Sequence, residues 1–211
     1  MRNMSSSSSS ILELIESRNS VTRYDPSRGV SDATLAELVR LATLAPSAYH
    51  LQNWKFVAVR SAEAKARLMA AAYGQPQVQE AAATFIVVGR LAAHEQLPRA
   101  LQPALERGVM PAAVIERWVA AANEAHPGDP QLQRDEAVRS ASLAAMTLML
   151  AAQGMGLATG AMGGFDAQQV IQEFGLEAQD VPVMLVTLGH ARDGNWSQKP
   201  RKPLQEVLAF A

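Results

Sequence analysis

Three polar clusters interrupt otherwise ordinary packing sequence. The first is Arg18-Asn19-Ser20, with Arg23 close behind. The second is Pro46-Ser47-Ala48-Tyr49-His50-Leu51-Gln52-Asn53-Trp54. The third is Lys199-Pro200-Arg201-Lys202, near the C-terminal end. Guanidinium and ammonium groups make charge-assisted hydrogen bonds, and a serine hydroxyl adds a neutral donor. Brought together, such residues hold a phosphate. Taken alone, a basic pair reads as solvated loop charge.

Other chemistries lack their residues. The chain has no cysteine, which excludes disulfides, thiol nucleophiles, iron–sulfur ligation and cysteine zinc sites. That absence suits a reducing compartment, so a cytoplasmic location is expected. His50, His94, His126 and His190 form no ligand pair at helical spacing, and no metal site is expected. There is no nucleophile elbow and no phosphate-binding Walker loop. Gly154, Gly156 and Gly160 are spaced one residue too widely for a dinucleotide fingerprint, and they follow a helix where that motif needs a strand. They read as a helix cap with a tight turn, or as backbone that something bulky must approach. Gly163 and Gly164 continue the pattern past any cap.

The elements that must position the clusters follow from composition and periodicity. Of 211 residues, 48% are hydrophobic and 18% charged, enough for a sizeable core in one domain over 11–211. Nineteen basic and twenty acidic residues leave a net charge of −1. No broad electrostatic case for nucleic acid or anionic membrane exists. Residues 140–165 carry no charge, but glycines and Gln153 interrupt them. Only Ala141 to Ala152 reads as a helix, apolar or small on nearly every face, and so buried in a core or a subunit interface. Residues 1–10 end in six serines and read as a flexible tail.

Ser10 to Glu13 is a capping box opening a helix over 11–18. A second helix starts at Ser31 or Asp32 and stops before Pro46. Further helices are expected over 62–72, in two pieces within 97–124, over 135–153, and over 166–174, the last ended by Gly175. A helical or turn-like piece is expected over 78–83. Residues 127–130 read as a loop. Strands are expected over 55–59, 84–88, 158–162 and 182–188. Unequal connections argue against a regular βαβ series. The expected fold class is α+β, a three-layer sandwich with a mixed central β-sheet flanked by helices.

In this order and at these separations, the clusters resemble the nitroreductase superfamily of FMN-dependent enzymes. The resemblance rests on residues 18–24, on 45–48 followed by 52–56, on 154–156 through 163–165, and on 199–204. It runs from about Ile11 to Val207. It implies an intertwined homodimer with FMN at the interface, contacted by both subunits. By resemblance, Arg18 and Ser20 hold the FMN phosphate with Lys199 and Arg201. Asn19 faces the flavin ring edge, and Gln75 bonds the pyrimidine edge. Gly163 and Gly164 lie against the isoalloxazine, and Ser47, His50 and Gln52 of the partner subunit touch the ribityl chain or ring. NADH or NADPH would deliver hydride to flavin N5, then leave for a nitroaromatic, quinone or similar acceptor in a ping-pong cycle. No catalytic acid, base or nucleophile is implied.

The chain departs from that pattern in places. Thr22 stands where a basic residue is common, and the charge moves to Arg23. His50 and Asn53 replace the usual asparagine and proline. Residues 91–130 would cover the open flavin face, with Trp118 read as packing or as a substrate contact. Relatives with this fold also dehalogenate, oxidise azolines or cleave flavin. A flavin-binding protein without turnover is a further reading.

Overall fold

In the computed structural model, residues 10–211 are described. The tail expected over 1–10 lies outside them except for Ser10, which is structural. Its Oγ accepts from Glu13 N at 3.2 Å, and its own N donates to Glu13 Oε2 at 2.7 Å. This capping box opens α1 (Ile11–Ser17). Ser10→Ala is expected to cost about 1 kcal/mol of local helix stability. Amide exchange should then accelerate over 11–17 and nowhere else.

Serines cap the next two long helices in the same way: Ser31 opens α2 (Asp32–Ala42) and Ser61 opens α3 (Ala62–Ala71). The remaining helices are α4 (Gln77–Glu80), α5 (Leu97–Glu106), α6 (Ala112–Ala125), α7 (Pro130–Gly154) and α8 (Ala167–Phe174). The strands are β1 (Trp54–Val59), β2 (Ala83–Arg90), β3 (Ala158–Met162) and β4 (Asp180–Gly189). One boundary needs correction. The loop expected over 127–130 ends at Asp129, and the helix expected from Asp135 begins five residues earlier, at Pro130, as α7. Asp129 is its N-cap, accepting from Leu132 N at 2.8 Å, and Pro130 takes the first helical position. Proline suits that position because its missing N–H would have no partner there anyway.

The sheet order is β1-β2-β4-β3. A mixed sheet was expected; within this chain all three pairings are antiparallel. Antiparallel neighbours need connections that leave and return at the same end of the sheet, whereas a parallel neighbour needs a crossover to the far end. Here α3 and α4 make one such return between β1 and β2, and the α8 segment makes another between β3 and β4. A bulge between Val87 and Val88 falls opposite Pro182 to Met184. It accommodates a proline that cannot donate to the ladder.

Both faces of the sheet are covered, which makes the three layers. Phe85, Val87, Val186 and Leu188 pack on α2 and α7 through Leu35, Leu38, Ala141, Ala145 and Leu148. Ile86, Val88 and Leu185 face α3 and α8 through Leu68, Ala71 and Val170. Burial on both sides explains why β2 is apolar without alternation. Each fully buried large side chain contributes roughly 1.5–3 kcal/mol. The alanines of α7 let its backbone approach the sheet closely. A Cβ placed on Gly89 would sit 2.7 Å from the Ala137 carbonyl oxygen.

Candidate functional site

Arg18 follows the last turn of α1, and the chain from Asn19 to Tyr24 then runs beside β3. Val21 N donates to Thr159 O at 3.0 Å. The C-terminal segment returns over this stretch and is laced to it. Asn195 Oδ1 accepts from Thr22 N at 2.9 Å and Arg23 N at 3.0 Å, while its Nδ2 donates to Arg23 O at 2.9 Å. Asn19 Nδ2 donates to Trp196 O at 2.7 Å, and Gln198 Nε2 donates to Arg18 O at 3.0 Å. Arg18, Asn19, Ser20, Lys199 and Arg201 consequently line one cleft of about 210 Å³, together with Trp196, Ser197 and Gln198.

The lining holds three cations and no acid. Among the described residues, none of Arg18, Lys199 and Arg201 pairs with a carboxylate. Unneutralised donors converging on a small cleft suit a dianion such as a phosphate monoester. Lys199 Nζ lies 5.1 Å from the centre of the Trp196 ring, itself 72% exposed. Asn195, Trp196 and Gln198 were missed in the sequence. The only signal was the turn-forming Asp193-Gly194-Asn195 run ahead of an aromatic in a polar tail.

The cleft stands on a buried support. Tyr24 is fully buried, and its hydroxyl lies 2.8 Å from Thr187 Oγ1. Thr187 Oγ1 donates on to Gly160 O at 3.1 Å. Burial raises the Tyr24 phenol well above its ordinary value, and the Thr187 hydrogen bond offsets only part of that. Tyr24→Phe removes a donor from a buried hydroxyl and is expected to cost about 1 kcal/mol. Thermal unfolding should show a small drop, with flavin affinity following it. Gly160 meets the bulky-approach expectation, but what approaches is the chain itself: a Cβ there would lie 2.4 Å from Val21 O. Gly156, at φ +72°, closes α7, as the cap-and-turn reading expects. Arg23 is held over the Gly194 turn, where a Cβ would sit 2.8 Å from its Nη1.

Gly163 and Gly164 follow β3 directly. A Cβ on Gly163 would meet nothing within 4 Å, so open space lies beside this strand end. Gln75 Nε2 donates to Gly164 O at 2.8 Å and to Ala72 O at 3.1 Å, and Gln75 Oε1 accepts from Gln77 Nε2 at 3.0 Å. The structure brings Gln75 and Gly164 together. It gives the Gln75 amide partners within the chain, where a pyrimidine edge was expected.

Ser47, His50 and Gln52 do not line the phosphate-sized cleft. His50 ends a 3-10 turn over Ala48–His50, with Ser47 before it and Gln52 after it. Tyr49 at φ 51°, His50 at 62° and Gln52 at 47° all occupy the left-handed region, a costly arrangement for side-chain-bearing residues. Ser47 Oγ accepts from Gln52 N at 3.0 Å and stabilises the turn. Trp118 packs edge-on against Tyr49, with ring centres 6.2 Å apart, which supports its packing reading. In one copy, then, the expected site falls into three groups: the cationic cleft, the Gln75–Gly164 edge, and the strained loop.

The model of the Nitroreductase family matches residues 15–190. The chain belongs to the nitroreductase family. A Bacillus subtilis (strain 168) protein named as an NAD(P)H nitroreductase, YodC, is 37% identical over 199 residues, 94% of this chain and 98% of that one. A solved structure from Exiguobacterium sibiricum 255-15, described as a nitroreductase in complex with FMN, is 32% identical with a TM-score of 0.89. It covers 96% of this chain and 98% of its own. A protein of Lactiplantibacillus plantarum named CLA biosynthesis enone reductase is 28% identical over 185 residues, 86% of this chain and 85% of that one. Among the described residues, no helix of this nitroreductase-family chain is long and apolar enough to cross a membrane.

Proposed function

We propose that this chain is an FMN-dependent NAD(P)H oxidoreductase that reduces small oxidised acceptors such as nitroaromatics or quinones. The observation that carries the reading is the cleft lined by three cations from opposite chain ends and by no acid. It occurs in a chain 32% identical, at a TM-score of 0.89, to a structure described as an FMN complex. Arg18, Ser20, Lys199 and Arg201 bind the phosphate tail. Gly163 leaves the strand end open for the ring, with Gly164 beside it. Bound FMN supplies the hydride relay between nicotinamide and acceptor. The chain supplies orientation and exclusion of water, with no side chain as acid or base.

The working form is a cytoplasmic homodimer. Helix α1 leaves Ile11 57%, Leu12 67% and Ile15 48% exposed, and it buries no residue of its own. Leu204, Val207 and Phe210 are 66%, 64% and 93% exposed near the C-terminus. Apolar surface of this extent calls for a partner. A second copy covers it and brings Ser47, His50 and Gln52 of the partner subunit to the flavin. The enone reductase relative supports a second acceptor class, activated alkenes conjugated to a carbonyl.

The test is anaerobic. FMN-loaded protein should lose its flavin absorbance on addition of NADH or NADPH, and a nitroaromatic, quinone or enone should restore it. Persistent yellow colour with both nicotinamides would discard the oxidoreductase reading. A monomer with full flavin occupancy on size exclusion would discard the shared site.

A further inference from the structure

Beneath the strained Ser47–Gln52 loop lies a buried group of polar atoms that the proposed chemistry does not use. His94 and His126 are 5% and 3% exposed. Their rings stack with centres 5.3 Å apart and planes 19° from parallel. Tyr49 sits edge-on over His126, at 6.1 Å and 73°. His126 Nδ1 lies 2.8 Å from the Ala122 carbonyl oxygen. A carbonyl only accepts, so Nδ1 carries the hydrogen and Nε2 presents a lone pair. Among the described residues that Nε2 has no partner, nor do His94 Nδ1, Asn53 Oδ1 and Glu136 Oε2. All four residues line one gap that leaves no room for a water. They come from four places: the loop before β1, the 3-10 turn over Ala93–Gln96, the end of α6, and α7.

We propose that the uncharged His94–His126 stack is the positioning element of the Ser47–Gln52 loop, and that protonating the stack releases the loop's hold on flavin. This rests on the reading of Ser47, His50 and Gln52 as flavin contacts. Three left-handed residues in four persist only where their surroundings over-determine them. Here those surroundings include Trp118 and His126, each edge-on to Tyr49. The charged groups around the stack do not compensate a cation well. Arg90 is itself positive and is engaged with Glu177 and Asp180. Glu136 is already paired with Arg139 through its other oxygen. Glu95, on the same turn as His94, favours protonation, and Glu136 lines the same gap.

The sign follows. Burial, then the neighbouring His126, lowers the His94 pKa from its ordinary value. A group whose proton affinity is lower folded than unfolded stabilises the fold above its unfolded pKa, about 6.5 for imidazole. That contribution disappears as pH falls through the depressed folded value. Proton uptake puts a cation face to face with a second ring at 5.3 Å, and opening the turn relieves it.

Two measurements test this. The first follows FMN affinity by flavin fluorescence from pH 7.5 to 5.5, in wild type, His94→Gln and His190→Gln. The FMN phosphate titrates in all three and cancels. Wild type and His190→Gln should each lose about tenfold more affinity than His94→Gln. Equal losses in all three overturn the proposal. The second follows the four imidazole ring protons of wild type by NMR, and it decides the matter if His94→Gln does not fold. His94 should titrate below the ordinary imidazole value. Ordinary titration of His94 overturns the proposal. Failure of wild type to bind FMN at pH 7.5 instead sinks the oxidoreductase reading, and the NMR titration still judges the stack.

Discussion

Arg18→Ala is expected to weaken FMN binding by about 1.5–3 kcal/mol, roughly 10- to 150-fold, and Arg201→Ala by a similar factor. Each change removes a charge-assisted donor from a cleft that holds three cations and no acid. The backbone should tolerate both losses. The Arg18 side chain makes no hydrogen bond within the described chain, and the Arg201 side chain makes one, to Lys199 O at 2.6 Å. The fold should therefore melt nearly as wild type while flavin is lost. Equilibrium titration with FMN measures the effect. Unchanged affinity in both variants would remove the phosphate assignment, and equal losses of affinity and melting temperature would make these residues structural instead.

The second large effect lies at a residue that touches no ligand. Gly160→Ala places a methyl 2.4 Å from Val21 O and 2.9 Å from Thr187 Oγ1. Neither neighbour is the free end of a flexible side chain. Val21 N is tied to Thr159 O, and Thr187 lies in the buried Tyr24 network. Relief requires moving the Val21–Tyr24 segment off β3. Overpacking of this kind costs about 3 kcal/mol, the upper end of the usual range. In a chain of this size that is roughly a 6–12 °C fall in melting temperature. The same movement carries Arg18 and Ser20 out of register with Lys199 and Arg201, so flavin affinity should fall as well. Gly163→Ala is the control, since its Cβ meets nothing within 4 Å. It should leave melting unchanged and act only through the open strand end.

Local signals made most elements legible. Ser10, Ser31 and Ser61 cap helices through their own hydroxyls, which a short-range pattern can reveal. Gly175 ends α8 in the left-handed conformation, and β3 falls over 158–162 as expected. The cationic cluster was legible as residue types. Its convergence was not, because that depends on Asn195 bonding both backbone faces of Thr22 and Arg23. A contact separated by more than 170 residues has no local signature. Gly160 illustrates the same limit: its need for a missing side chain was readable, but the partner, Val21 O, was not. The left-handed Tyr49, His50 and Gln52 were invisible because residues with side chains rarely adopt that region. The antiparallel pairing within the chain has no signature in strand composition, because strand direction is set by where helical connections return.

The most direct measurement compares FMN with riboflavin, which differs only in lacking the phosphate. Both should be titrated into wild type and into an Arg18→Ala/Arg201→Ala double variant at one fixed salt concentration, because ion pairing is salt-dependent. Wild type should bind FMN at least a hundredfold more tightly than riboflavin, and the double variant should lose most of that preference while its riboflavin affinity barely changes. Equal affinity of wild type for the two flavins would contradict the assignment of the cleft between the two chain ends as a phosphate site.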